Sequence, residues 1–200
     1  MSRIIEWVVF DFYGVIALDS TEEIIQQKND PTITEKITQL NRQKDVGALP
    51  LATYIQELSH VLNVSEEHAR WLENPVDTYN PEVVSCIRQL KSYGVKFAIA
   101  SNSYAPSIKQ AIEQAGLTTE LDCLVSSSVI GCAKPSQAFW ESLEKMLNAQ
   151  PKHCLFIDDR LVNCTAAQAY GFQATHFTSI DVLKKIVADF AAGEYHARIT

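Results

Sequence analysis

The sequence predicts an α/β protein: a doubly wound, Rossmann-like parallel sheet carrying an inserted, all-helical cap. Three observations lead to this. From Asn80 onward, short apolar runs alternate with amphipathic stretches, the rhythm of strand–helix–strand units. Between about Thr21 and Asn74 the apolar residues recur only at helical spacing. The conspicuous polar residues fall at the ends of the apolar runs, where open parallel sheets receive their ligands.

The elements follow in order. Trp7 to Phe10 is a short apolar run ending at Asp11, the pattern of a buried strand tipped by an acid. In the insertion, Ile33, Ile37 and Leu40 form one apolar stripe, and Leu51, Tyr54, Ile55, Leu58 and Leu62 form another. Tyr54 and Trp71 are expected to pack this cap, with one of them open to a substrate. Asn80-Pro81 is an N-cap followed by proline in the first turn, and Gly94 stops that helix after Tyr93. Strands are then expected at Val95 to Ala100, Leu121 to Val125, Cys154 to Ile157 and Phe172 to Phe177. Helices are expected near Pro106 to Ala115, Gln137 to Leu147, Leu161 to Tyr170 and Ile180 to Ala191. The division is a core of residues 1–15 and 80–200, with a cap of residues 16–79.

Composition narrows the function. The chain has 200 residues, 46% of them hydrophobic and 20% charged, enough for one real core with a small insertion. Seventeen Lys and Arg against 24 Asp and Glu give a net charge of −7, which argues against nucleic acid as a partner. No apolar run approaches the ~18 residues of a membrane span, and Glu6 and Asp11 interrupt the start too early for a signal peptide. The five cysteines form no CxxC pair, so reduced thiols in the cytoplasm are expected. Nothing in the pattern specifies an oligomeric state.

Chemistry concentrates at the strand ends. Asp11, in Asp11-Phe12-Tyr13-Gly14, is placed either to attack a phosphorus or carbon centre or to cap the following turn. Ser101 and Asn102 offer a hydroxyl, an amide and backbone N–H groups that can hold a phosphoryl oxygen. Lys134, in the loop after Cys132, can neutralise transferred charge or stand in solvent. Asp158-Asp159 ends the run Cys154-Leu155-Phe156-Ile157, with Asn163 four residues further on. Adjacent acids at the end of a buried strand repel one another, and a divalent cation resolves that repulsion. His153, His176 and Cys132 read as structural.

The order Asp11, Ser101, Lys134, Asp158-Asp159 resembles the four motifs of the haloacid dehalogenase superfamily, most of whose members are phosphatases. The resemblance covers residues 1–15 and about 80–180. It implies Asp11 as nucleophile, Ser101 as the phosphate-holding hydroxyl and Lys134 as the conserved lysine; Asn102, beside Ser101, is expected to bind substrate with them. The resemblance also implies Mg²⁺ held by Asp11, the backbone carbonyl of Tyr13 and the Asp158-Asp159 pair. One position departs from the pattern. Phosphatases of the superfamily carry a second Asp two residues after the nucleophile, as a general acid, and here that position is Tyr13. Asp-x-Tyr-Gly instead resembles the metal-independent 2-haloacid dehalogenases, whereas the Asp-Asp pair resembles the metal-dependent phosphatases. The expected activity is Mg²⁺-dependent hydrolysis of a small phosphorylated substrate. The alternatives are 2-haloacid dehalogenation by the same Asp11, or binding of a phosphate ligand without turnover.

Overall fold

The computed structural model describes residues 3–17, 19–73 and 79–197. The chain begins with β1 (Arg3–Ile5) and β2 (Trp7–Phe10), then runs through α1 (Ser20–Lys28), α2 (Pro31–Asp45), α3 (Leu51–Leu62) and α4 (Glu66–Glu73). The alternating part comprises α5 (Pro81–Ser92), β3 (Lys96–Ser101), α6 (Ala105–Gln114), β4 (Cys123–Ser126), α7 (Ser127–Ile130) and α8 (Gln137–Leu147). It continues through β5 (Cys154–Asp158), α9 (Leu161–Tyr170), β6 (Gln173–His176), α10 (Ile180–Ala191) and β7 (Tyr195–Ala197).

Five strands form one parallel sheet in the order β4-β3-β2-β5-β6. The chain winds outward from β2 in one direction, then returns to β5 and winds the other way. The strand order therefore reverses between β2 and β5, and a crevice opens beyond their carboxyl ends. Successive side chains of a strand face opposite sides, so each strand feeds two cores. Val8, Phe10, Phe97, Ile99, Leu155 and Ile157 pack with α5, α6 and α10. Trp7, Val9, Ala98, Ala100 and Phe156 pack with α8 and α9, around Trp140. Because both faces are covered, β2 and β5 are buried throughout, which explains their unbroken apolar runs.

The helices start where the chain supplies acceptors for their first N–H groups. The Asp30 carboxylate accepts from the N–H of Thr32 (2.8 Å), with Pro31 opening α2, and Asn80 Oδ1 accepts from the N–H of Glu82 (3.0 Å), with Pro81 opening α5. The four inserted helices share a separate core around Ile37, Tyr54, Ile55, Leu58, Leu62 and Leu72. Their two connections to the sheet run side by side: the N–H of Asn80 donates to the Ile16 carbonyl (2.8 Å), and Ala17 bridges to Tyr79. Ile16 and Ala17 pack in the core on one face of the sheet.

Some boundaries differ from those expected. β4 starts at Cys123 because the N–H of Leu121 closes a turn onto Leu117 O (3.1 Å). Likewise, the N–H of Phe172 returns to Ala167 O (3.0 Å), so β6 starts at Gln173. The small parallel pair β1–β7 and the single-turn α7 were not anticipated. No helix among the described residues is long and apolar enough to cross a membrane.

Candidate active site

Asp11 immediately follows β2 and Asp158 ends β5, the two strands flanking the reversal, and their neighbours bring the remaining groups. The N–H of Asp11 donates to Ile157 O (2.8 Å), which ties the end of β2 to β5. The Asp11 carboxylate accepts from the N–H of Phe12 (2.7 Å) and lies 3.0 Å from Lys134 Nζ. Lys134 is buried, donates to Asp158 Oδ2 (2.7 Å) and sits over the ring of Phe156. Asp158, fully buried, also accepts from the Arg160 N–H (2.8 Å) and from Asn163 Nδ2 at both oxygens. Its carboxylate is saturated.

Asp159 is different. One oxygen each of Asp11, Asp158 and Asp159 lies within 4.8 Å of the others, yet Asp159 Oδ1 is buried with no hydrogen-bond partner. Gly14 makes room for it. A β-carbon at position 14 would collide with the Asp159 carboxylate, and the residue has φ +87°, a conformation that glycine adopts without strain. His176 Nε2 reaches the Asp159 carbonyl at 2.8 Å and fixes this turn from β6. The structural role expected of His176 is thus adjacent to the site, whereas His153 pairs with Glu6 (2.8 Å) before β5.

The electrostatics follow from this crowding. Burial raises the Asp11 carboxyl well above its usual range; Lys134 opposes the rise, and Asp158 and Asp159 add to it. Asp159 is raised by its own burial and then by Asp158. Asp158 moves the other way: Lys134 and its hydrogen bonds outweigh its burial and hold it low.

Ser101, at the tip of β3, is buried with its hydroxyl unpartnered. Asn102 lines the same cleft, but its amide is engaged in both senses with one residue. Nδ2 donates to Lys134 O (3.0 Å), and the Lys134 N–H donates to Oδ1 (2.8 Å). Asn102 therefore fixes the loop that presents Lys134. A serine cluster steadies the next turn: Ser126 Oγ donates to Ser103 O (2.7 Å), and the Ser103 N–H donates to Ser127 Oγ (2.9 Å).

The cleft above these groups has a volume of about 450 Å³, and helices of the insertion form its other wall. Tyr13 turns toward that wall. Its buried hydroxyl has no partner, and burial followed by the charge of Glu73 pushes the phenol above its usual value. Within the wall, Lys44 Nζ bonds Glu73 Oε2 (2.6 Å) and lies over the Tyr54 ring, while Tyr54 donates to Asn41 Oδ1 (2.8 Å). Neither Tyr54 nor Trp71 lines the cleft: Tyr54 is fully buried, and Trp71 stacks on His68 at the surface. Sequence reasoning missed the charged residues that do, among them Asp19, Arg42, Lys44, Asp45 and Glu73. A cation and an acid on inward faces of α2 and α4, amid otherwise apolar stripes, were the available signal.

The family profile described as haloacid dehalogenase-like hydrolase matches residues 5–171. The chain belongs to this family. Its five parallel strands flanked by helices match the α/β fold of that family. The chain is 32% identical over 96 residues to the sesquiterpene phosphatase astK of Aspergillus oryzae, across 48% of this chain. The match spans only about half (49%) of that phosphatase. Identity is 25% over 188 residues to the (S)-2-haloacid dehalogenase H-109 of Pseudomonas putida, covering 84% of this chain and 83% of that enzyme. In fold it matches a haloacid dehalogenase-family enzyme of Bacteroides thetaiotaomicron, solved with magnesium and inorganic phosphate. There the TM-score is 0.67 at 19% identity, over 86% of this chain and 93% of that one. Family members thus include both phosphatases and dehalogenases.

Proposed function

We propose that the chain hydrolyses a small phosphate monoester, with Asp11 as nucleophile and Mg²⁺ beside it. The observation that carries this is the convergence of Asp11, Asp158 and Asp159 with one buried oxygen of Asp159 left unpartnered. Three clustered acids, Asp11 and Asp158 buried and Asp159 half-buried, against one lysine leave excess negative charge that a hard cation would balance, and oxygen donors suit Mg²⁺. The carboxylates of Asp11 and Asp159 and the backbone carbonyl of Tyr13 would hold the ion, with Asp158 anchoring Lys134. Bound there, Mg²⁺ supplies charge neutralisation for the phosphoryl oxygens. The phosphatase astK among the relatives supports the same reading.

The chain's own residues perform the covalent steps. Asp11 attacks phosphorus, the ester oxygen leaves, and the phosphoryl group rests on Asp11. Ser101 and Lys134 donate to its non-bridging oxygens. Water then attacks phosphorus, releasing inorganic phosphate and restoring the Asp11 carboxylate. Asn102 acts on this chemistry through Lys134.

A second reading, the metal-independent 2-haloacid dehalogenase, is favoured by Tyr13 and by the relative from P. putida, which matches over most of both chains. Asp11 would then attack carbon and expel halide. One experiment separates the two. Hydrolysis of p-nitrophenyl phosphate is expected with Mg²⁺, is expected to stop with EDTA, and is expected to be absent in Asp11→Asn. Chloride release from 2-chloropropionate in EDTA, with no phosphatase activity, establishes the dehalogenase instead. Phosphate bound without turnover of either substrate would mark a binding protein.

A further inference from the structure

A phosphate ester with a basic leaving oxygen needs a proton donor, and the residue two positions after the nucleophile, a phenol rather than a carboxylic acid, is a poor match for that role here. Tyr13 is a buried phenol held above its ordinary pKa, with its hydroxyl directed toward the cap wall. The leaving group must lie away from the Lys134 and Ser101 floor, and therefore against that wall. Four carboxylates face the cleft from it, and three already have other roles. Asp19 caps α1, accepting from the N–H of Glu22 (3.0 Å). Glu22 is exposed and accepts from Gln26 Nε2. Glu73 is bound to Lys44 at 2.6 Å. Asp45 remains.

The Asp45 carboxylate lies 3.7 Å from Lys44 Nζ, beyond hydrogen-bond length, and its side chain is 16% exposed. It sits at the C-terminal end of α2, where the helix dipole disfavours negative charge and so favours the protonated acid. The charged and titratable groups facing it are Lys44 on its own helix, Glu73 on α4, Tyr54 on α3 and Asp19 ahead of α1.

We propose that Asp45, supplied by the cap, donates the proton to the leaving oxygen during attack by Asp11. The idea rests on the phosphatase reading above and assigns the acid that reading lacks. As the Asp11–phosphorus bond forms and the phosphorus–ester oxygen bond breaks, the Asp45 proton passes to the departing oxygen, leaving an alcohol and an Asp45 carboxylate. That carboxylate then accepts the proton of the water that attacks the phosphorylated Asp11. Burial already holds the Asp45 carboxyl up at about 6, Lys44 opposing the rise and Glu73 and Asp19 adding to it, so both protonation states are accessible near neutral pH.

The test compares leaving groups on the full chain with Mg²⁺: n-propyl phosphate, whose leaving oxygen is basic, and p-nitrophenyl phosphate, whose leaving oxygen needs little protonation. Asp45→Asn is expected to lower kcat/KM for the propyl ester about 100-fold, and for the nitrophenyl ester by no more than about threefold. Asp45→Glu is expected to recover part of the propyl activity. In the wild type, the propyl-to-nitrophenyl ratio of kcat/KM should fall as pH rises through the Asp45 pKa, a reading that needs no variant to fold. Equal losses on both esters, no loss on either, or a ratio flat with pH overturns the assignment while leaving the phosphatase reading intact. A wild type that releases phosphate from neither ester overturns both.

Discussion

At the scale of single residues, the site depends on which carboxylates are already satisfied. Asp158 is met by Lys134, Asn163 and a backbone N–H, whereas Asp159 keeps an unpartnered oxygen. Asp159→Asn is therefore expected to abolish the heat of Mg²⁺ binding by titration calorimetry, with the circular dichroism spectrum unchanged. Gly14→Ala meets both a left-handed φ and the Asp159 carboxylate, so a loss of about 1–3 kcal/mol in denaturant melts is expected, together with weaker Mg²⁺ binding. Tyr13 and Asp45 are linked through their proposed roles. If the phenol merely occupies the acid's usual position, adding Tyr13→Asp to Asp45→Asn should return about tenfold of the lost propyl phosphate turnover. No recovery in a folded double variant would mean that position 13 no longer points at the leaving group.

At the scale of elements, legibility followed burial. β2 and β5 were readable because both their faces are covered, which forces unbroken apolar runs, and the acids at their ends stood out for the same reason. β1 and β7 have three residues each and no such run, so the pairing of Arg3–Ile5 with Tyr195–Ala197 leaves no pattern to find. Asp11, Ser101, Asp158 and Asp159 drew attention as polar residues at the ends of apolar runs, whereas Lys134, in a loop, was singled out only by its place in a motif order that resembles the superfamily's. The cap wall was not legible, because Lys44 and Glu73 meet across two helices, and the mutual rotation of helices is set by packing rather than by periodicity. This pair also yields a stability test. Lys44→Met leaves Glu73 buried without its cation and should cost roughly 3–5 kcal/mol, whereas Lys44→Met with Glu73→Leu should recover most of that. Chemical denaturation of the three proteins measures both.

At the scale of the whole molecule, the Asp45 carboxyl makes stability depend on pH with a definite sign. Its pKa is about 6 when folded against an ordinary 3.8, so the folded chain holds that proton more tightly than the unfolded one. Between about pH 4 and pH 6 its contribution to stability therefore falls as pH rises, reaching a penalty of at most roughly 3 kcal/mol at neutral pH. Asp45→Asn should accordingly melt above wild type at pH 7.5, with the difference shrinking toward pH 4; a gap that widens on acidification would contradict the sign. The paired connections between sheet and insertion bear on the molecule as a whole in another way. Ile16 and Asn80 are joined by one backbone hydrogen bond, so the chain departs from the sheet and comes back at almost the same point. A segment whose ends already touch can be exchanged for a longer, shorter or unrelated one at little loop-closure entropy, since the host fold need not stretch to accommodate it. The helical wall of the cleft is thus expected to behave as an interchangeable cassette: grafting another helical insertion between Ala17 and Tyr79 should change what the cleft admits while leaving Asp11, Lys134 and the paired acids in place.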